Sequence, residues 1–264
     1  MKKLYFAFLL VFLSSCASLG HQKVSFMDVS QRDEYHIGRI TCARLISSYP
    51  LLKNDSLTKY LTILANYLAT FSKRPYIFKG YHVGVLNTDK PMAFSTPGGF
   101  ILISKGLIKE LNNEDQLAAV MAHEIGHIVK RHSLSYIKAS HLLDFTSNLA
   151  KRIGEKRLWD ERKRKIAQMS IDITNLLLKR GYSRKQEEEA DREAVSILKK
   201  SGYNPHAIIE VLEKAQKRTQ HGITQFTRTH PYPEKRIVLL KNIAPSKKVS
   251  QKRTKRFLLY KNML

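Results

Sequence analysis

Residues 123–127 read His-Glu-Ile-Gly-His, and this H-E-x-x-H spacing constrains the fold more than any other feature of the chain. Four residues make slightly more than one helical turn, so on a helix the two imidazoles project from one face about 6 Å apart along the axis. The flanking sequence supplies that helix. Asn113 with Gln116 fits a capping box, and Leu117, Val120, Met121, Ile125 and Ile128 form an apolar face running to about His132 or beyond. Two such histidines can meet one zinc ion at roughly 2.0–2.1 Å each. Glu124, turned about 100° from His123, can reach a water beside the metal and take its proton without being a ligand.

A catalytic site with one open position needs a third protein ligand. The metzincin extension would put Gly at 130 and His at 133; this chain has Lys130 and Ser133, which excludes it. His132 falls on nearly the opposite helical face from His123 and reads as a solvated residue. The better source is downstream. Ser183 with Gln186 forms another capping box and opens a helix through Ala190, Ala194, Ile197 and Leu198, with Gly202 where the helix stops. Glu187 and Asp191, four apart, share a face of it. Glu187 can bind the metal while Asp191 accepts a hydrogen bond from a ligand histidine, fixing its tautomer and ring orientation. Small Ala190 lets the two helices approach. Read alone, Glu187–Glu189 is an acidic helix start of the kind the helix dipole favours.

With 264 residues, 43% of them hydrophobic, the chain can bury one sizeable core. Residues 33–48 look helical. Asp55 or Ser56 caps the next helix, where Leu57, Leu61, Leu64, Leu68 and Phe71 recur at helical spacing and Pro75 ends the element. Residues 81–86 alternate as a strand, and residues 92–103 read as a hairpin turning at Pro97-Gly98-Gly99. Asn204-Pro205 starts a further helix, and a short one follows Pro233. The predicted fold is α+β, mainly helical: a zincin-like metallopeptidase domain with a small β-sheet or hairpin.

Lys and Arg number 46 against 22 Asp and Glu, a formal charge of +24. Such an excess favours anionic partners; a solvated basic surface is the plainer reading. Basic residues concentrate in Lys151–Lys165 and in 247–256, and the tail from Lys241 lacks acidic residues and reads as disordered. At the other end, Met1-Lys2-Lys3, an apolar run Leu4–Leu13, and Ser14-Ser15 form the three parts of a secretory signal. The run of about 10 residues is well short of the roughly 20 that span a bilayer. Leu13-Ser14-Ser15-Cys16 resembles a bacterial lipobox, which implies removal of residues 1–15 and lipidation of Cys16, each buried CH₂ giving about 0.8 kcal/mol. Cys42 is then without a partner and is a buried thiol. The chain divides into a signal peptide (1–15), a tether (16–32), a metallopeptidase domain (33–242) and a basic tail (243–264).

Four segments in consistent order carry a family resemblance. They are Ala93 through Phe100, His123 through His127, Ser183-Arg184 through Glu187 with Ala190-Asp191, and Thr229-His230-Pro231 followed by Arg236-Ile237. Across residues 55–242 the chain resembles the HtpX-like zinc peptidases, a gluzincin family that also holds the CAAX prenyl endopeptidases and the periplasmic BepA-type proteases. It departs from them at Met92, where relatives commonly carry Asn. It also lacks the membrane helices of the HtpX branch and is similar instead to the secreted lipoprotein members. The resemblance implies one zinc ion per chain held by His123, His127 and Glu187, with Glu124 as general base. It also implies hydrolysis of internal peptide bonds in unfolded or misassembled envelope proteins, a protein quality-control role in the periplasm. His230 is then a candidate to stabilise the oxyanion or to occupy the open metal position in a resting state, and Arg236 a candidate to polarise the carbonyl. An exposed strand edge at 92–95 or 100–103 would pair with an extended substrate. Two other classes stay open. One is a chaperone-like or adaptor protein that binds polypeptide through the zincin fold. The other is a basic protein binding anionic lipid, lipopolysaccharide or nucleic acid, nucleic acid being the weakest because export removes the chain from it.

Overall fold

The computed structural model describes residues 29–137, 155–219 and 225–264. Its elements in chain order are α1 (Gln31–Ser48), α2 (Asp55–Ala69), β1 (His82–Leu86), β2 (Ala93–Thr96), β3 (Phe100–Ser104), α3 (Lys105–Glu110), α4 (Glu114–Val129), α5 (Glu155–Asn175), α6 (Arg184–Ser201), α7 (Ala207–Thr219), α8 (Gln225–Thr229), α9 (Pro233–Lys241) and α10 (Gln251–Lys261). The mainly helical α+β fold expected from the sequence is the one observed. The segments 1–28, with the signal and Cys16, and 138–154, with the start of the Lys151–Lys165 run, lie outside the described residues.

A three-stranded sheet of order β1-β3-β2 divides the interior, with β1 parallel and β2 antiparallel to β3. Alternation along the strands sends Val83, Val85, Ala93, Ile101 and Ile103 to one face, where α2, α4, α6 and α7 complete the larger core. Leu86, Met92, Phe94 and Leu102 go to the other face, against α1 and α5. The turn between β2 and β3 places Gly98 at φ 70°, where a Cβ would also lie 2.5 Å from the Tyr35 Cα, so that position requires glycine. The sheet corrects one expectation. β3 is the central strand, and all four residues of the edge strand β2 are buried beside α1 and α4. Neither segment presents an exposed edge for a peptide.

The helix starts follow capping chemistry. Ser183 caps α6 in a reciprocal box with Gln186, and Gly202 ends it in the left-handed conformation. Asn113 caps α4, but Gln116 reaches back to the backbone N–H of Asn112 rather than closing the box. The cap of α2 is Asn54, one residue before the expected pair, because its side chain reaches the Leu57 N–H. That helix ends at Ala69, before Pro75. α1 starts at Gln31, two residues before the expected helix, and Val29 ahead of it is buried.

The C-terminal tail is not disordered. α10 packs on α2 and α4 through buried Phe257 and a parallel stack of Tyr260 on Tyr60, with centroids 4.2 Å apart. Two of its basic residues are engaged by fixed acids: Arg256 binds the fully buried Glu114, and Arg253 lies 3.3 Å from Asp115. These pairings join positions about 140 residues apart in sequence, so no local pattern reveals them.

Candidate metal centre

Helix α4 is buried along its whole length, which seats His123, Glu124 and His127 in the interior. α6 crosses it closely. A Cβ on Gly126 would lie 2.7 Å from the Ala190 carbonyl oxygen, so the glycine inside the H-E-x-x-H segment is what admits the second helix. This approach brings α6 carboxylates to the histidines. Glu187 Oε2 lies 3.4 Å from His123 Nε2, and Oε1 lies 3.5 Å from His127 Nε2. One turn further, Asp191 Oδ1 accepts from His123 Nδ1 at 3.0 Å.

His230 closes the group. Gly181, at φ 76°, lets the segment before α6 run against Arg228 and Thr229, and the Tyr182 N–H donates to the Thr229 carbonyl at 3.1 Å. His230 at the end of α8 is thereby set among the other side chains. Its Nδ1 is 3.1 Å from Glu187 Oε1 and 3.2 Å from His123 Nε2, and its Nε2 is 3.2 Å from Glu124 Oε1. The candidate ligand atoms of His123, His127, Glu187 and His230 all lie within 4.8 Å of one another, and all four residues are buried.

The charges are organised around this cluster. Burial alone would raise the carboxyl of Glu187, but Arg236 and His230 hold it well below the usual range. Burial likewise opposes ionisation of Glu124, and His230, His127 and His123 outweigh it, bringing the group down to about 2. His127 is held down to about 3, chiefly by burial. Burial would lower His230, but Glu187 and Glu124 push it up to about 10.

Such a donor set fits a divalent cation. His123 commits Nδ1 to the Asp191 carboxylate, so its Nε2 faces His127 Nε2 at 3.1 Å, an approach of two ring nitrogens that a shared cation reconciles. Two imidazoles and one carboxylate suit zinc in a site with an open position.

Arg236 is drawn into the same group of charges. It is buried, with Nε and Nη2 on Asp191 at 2.8 and 2.6 Å and Nη1 2.6 Å from Glu187 Oε2. The planar guanidinium thus engages two carboxylates of α6 at once. His132 departs from expectation. It is buried, because α4 stops at Val129 and Arg131 adopts a left-handed conformation that folds the chain back beneath His127. Tyr182, which no spacing in the sequence marks, stacks on the His127 ring at 3.9 Å. Cys42 is a free buried thiol as expected, pushed up to about 11 by burial. Among the described residues, no helix is long and apolar enough to cross a membrane.

Comparison with known proteins agrees with this geometry. The family model for peptidase family M48 matches residues 55–244, a span holding all the residues of the cluster and leaving α10 outside. The beta-barrel assembly-enhancing protease of Escherichia coli K12 is 28% identical over 234 residues, covering 86% of this chain and 46% of that protein. The mitochondrial metalloendopeptidase OMA1 of Arabidopsis thaliana is 31% identical over 61% of this chain and 31% of its own length. Metalloprotease YcaL of E. coli K12 is 26% identical over 70% of this chain and 69% of its own. The chain spans about half the length of the beta-barrel assembly-enhancing proteases it matches. With a matched span of this extent and a histidine–carboxylate cluster inside it, the chain belongs to peptidase family M48.

Proposed function

We propose that this chain is a zinc-dependent endopeptidase that hydrolyses internal bonds of polypeptides, with unfolded or misassembled envelope proteins as its substrates. The observation that carries the reading is the convergence of His123, His127 and Glu187 on one point, with the ionised Glu124 beside it. These three residues would hold one zinc ion. Zinc bound there supplies Lewis acidity, which lowers the pKa of a water and polarises a peptide carbonyl.

The chain's own groups supply the rest. Glu124 accepts the proton of the attacking water and delivers it to the amide nitrogen as the C–N bond breaks. Asp191 and Arg236 fix the ring of His123 and the carboxylate of Glu187. His230, within reach of both Glu124 and the ligand atoms, donates to the carbonyl oxygen as negative charge grows on it. Its Nδ1 also faces the ligand cluster, which supports a second role as an occupant of the fourth position in a resting enzyme. His230→Ala separates the two: turnover falls if the donor role dominates and rises if the resting role does. Unchanged turnover would remove both.

The test of the reaction is casein cleavage by the parent and by Glu124→Gln, with zinc measured in each. Loss of cleavage at unchanged zinc supports hydrolysis by Glu124. A Glu124→Gln form that fully rescues a deletion strain would favour a chaperone-like or adaptor role instead. Attachment to a bacterial envelope membrane through a lipidated Cys16, facing the periplasm, is the location that fits the N-terminal sequence. Contact with anionic lipid through the basic segments 151–165 and 247–256 is a further expectation; it should weaken steeply with salt.

A further inference from the structure

His127 has a chain of partners behind it that the ligand assignment leaves unused. Its Nδ1 lies 2.9 Å from Nδ1 of His132, and Nε2 of His132 lies 3.0 Å from Oε2 of Glu189. His132 is buried, whereas the Glu189 side chain is 38% exposed, so the chain of contacts leads from the cluster outward. When His127 presents its Nε2 lone pair to the cluster, one set of neutral tautomers satisfies every atom. Nδ1–H of His127 donates to Nδ1 of His132, and Nε2–H of His132 donates to the Glu189 carboxylate.

The two zinc-binding histidines of α4 are thus supported differently, and from the same helix. His123 meets Asp191 directly; His127 meets Glu189 through an intervening imidazole. The backbone is shaped for this. Arg131 sits at φ 56°, ψ 33°, a region disfavoured for any residue with a Cβ, and this turn is what carries His132 under His127. The His132 carbonyl is then held by the Ser135 hydroxyl at 2.6 Å and faced by the Gln186 amide at 3.5 Å.

We propose that His132 is a positioning residue for His127, locking it in the tautomer that offers Nε2 to the metal and linking it to Glu189. The proposal rests on the reading of His127 as a zinc ligand. It is tested on the full chain by zinc affinity, measured by competition with a chelator, and by the visible spectrum of the cobalt(II)-substituted protein. His132→Phe keeps the ring volume and removes the acceptor; it should weaken zinc binding roughly 10–100-fold and alter the cobalt spectrum. His132→Asn, whose amide oxygen can accept from His127, should restore both toward the parent. Glu189→Ala should weaken binding in the parent and add nothing to His132→Phe. Parental affinity and spectrum in His132→Phe would overturn the proposal, as would a loss that His132→Asn shares in full. If His132→Phe does not fold, Glu189→Ala decides alone, and unchanged affinity and spectrum overturn the proposal. A parent protein that binds no zinc would remove the metal centre itself, a distinct failure.

Discussion

At the scale of single residues, the centre depends on how few side chains touch the reacting atoms and how many hold those few. On the proposed mechanism Glu124 touches them, and Glu124→Gln should lower kcat/KM by roughly 10²–10⁴-fold in a peptide-cleavage assay while the protein retains its zinc. Arg236 is proposed to act from behind, on Glu187 and Asp191. Removing it leaves Asp191 and Glu187 buried without their cation, so Arg236→Ala should destabilise the metal-free protein by about 3–5 kcal/mol in urea unfolding. Arg236→Lys should recover only part of this, because the two carboxylates are engaged by a planar fork. The candidate ligands were legible in the sequence because i, i+4 spacing survives any tertiary arrangement: His123 pairs with His127, and Glu187 shares its face with Asp191, the partner of His123. His132 was not, since its direction depends on the left-handed Arg131, and helical continuation placed it on the wrong side. The orientation of Arg236 was not either, because it depends on how α9 docks against α6.

At the scale of elements, the site is a crossing of two helices, and Gly126 sets its depth. Gly126→Val would force Ala190 and its helix outward, destabilising the fold by about 1–3 kcal/mol and drawing Glu187 away from the histidines. Thermal unfolding and zinc affinity should therefore fall together, whereas a stability loss with full zinc affinity would argue against the crossing as the determinant. Elements with local punctuation were readable to within a residue or two. The Ser183–Gln186 box and Gly202 bound α6 as the sequence indicated. The helix at the C-terminus was not readable. Its composition is basic, only Phe257 is buried among its residues, and its charges are matched by Glu114 and Asp115 in a distant element.

At the scale of the whole molecule, α10 lies outside the segment matched by the family model, yet it ties the C-terminus to the first turn of the helix that carries the two candidate ligand histidines. Burial would raise Glu114, but hydrogen bonds from Arg256, Tyr203 and Tyr60 outweigh it and lower its pKa from 4.5. A carboxyl depressed on folding adds stability that is present above its unfolded pKa and lost as pH falls through the folded one. Melting temperature should therefore drop progressively below about pH 4.5, and Glu114→Gln, less stable at pH 7, should show a flatter acid limb. Anchoring belongs to this scale too: Cys16→Ala should move the protein from the detergent phase to the aqueous phase in phase partition, and equal partition would argue against a lipid. The account as a whole turns on the ligands. Zinc-edge X-ray absorption on the purified protein measures them directly. Two imidazole nitrogens and one carboxylate oxygen, with a light-atom shell near about 2.0–2.1 Å, are the predicted result. A protein without zinc, or a spectrum that keeps its carboxylate after Glu187→Ala, would contradict it.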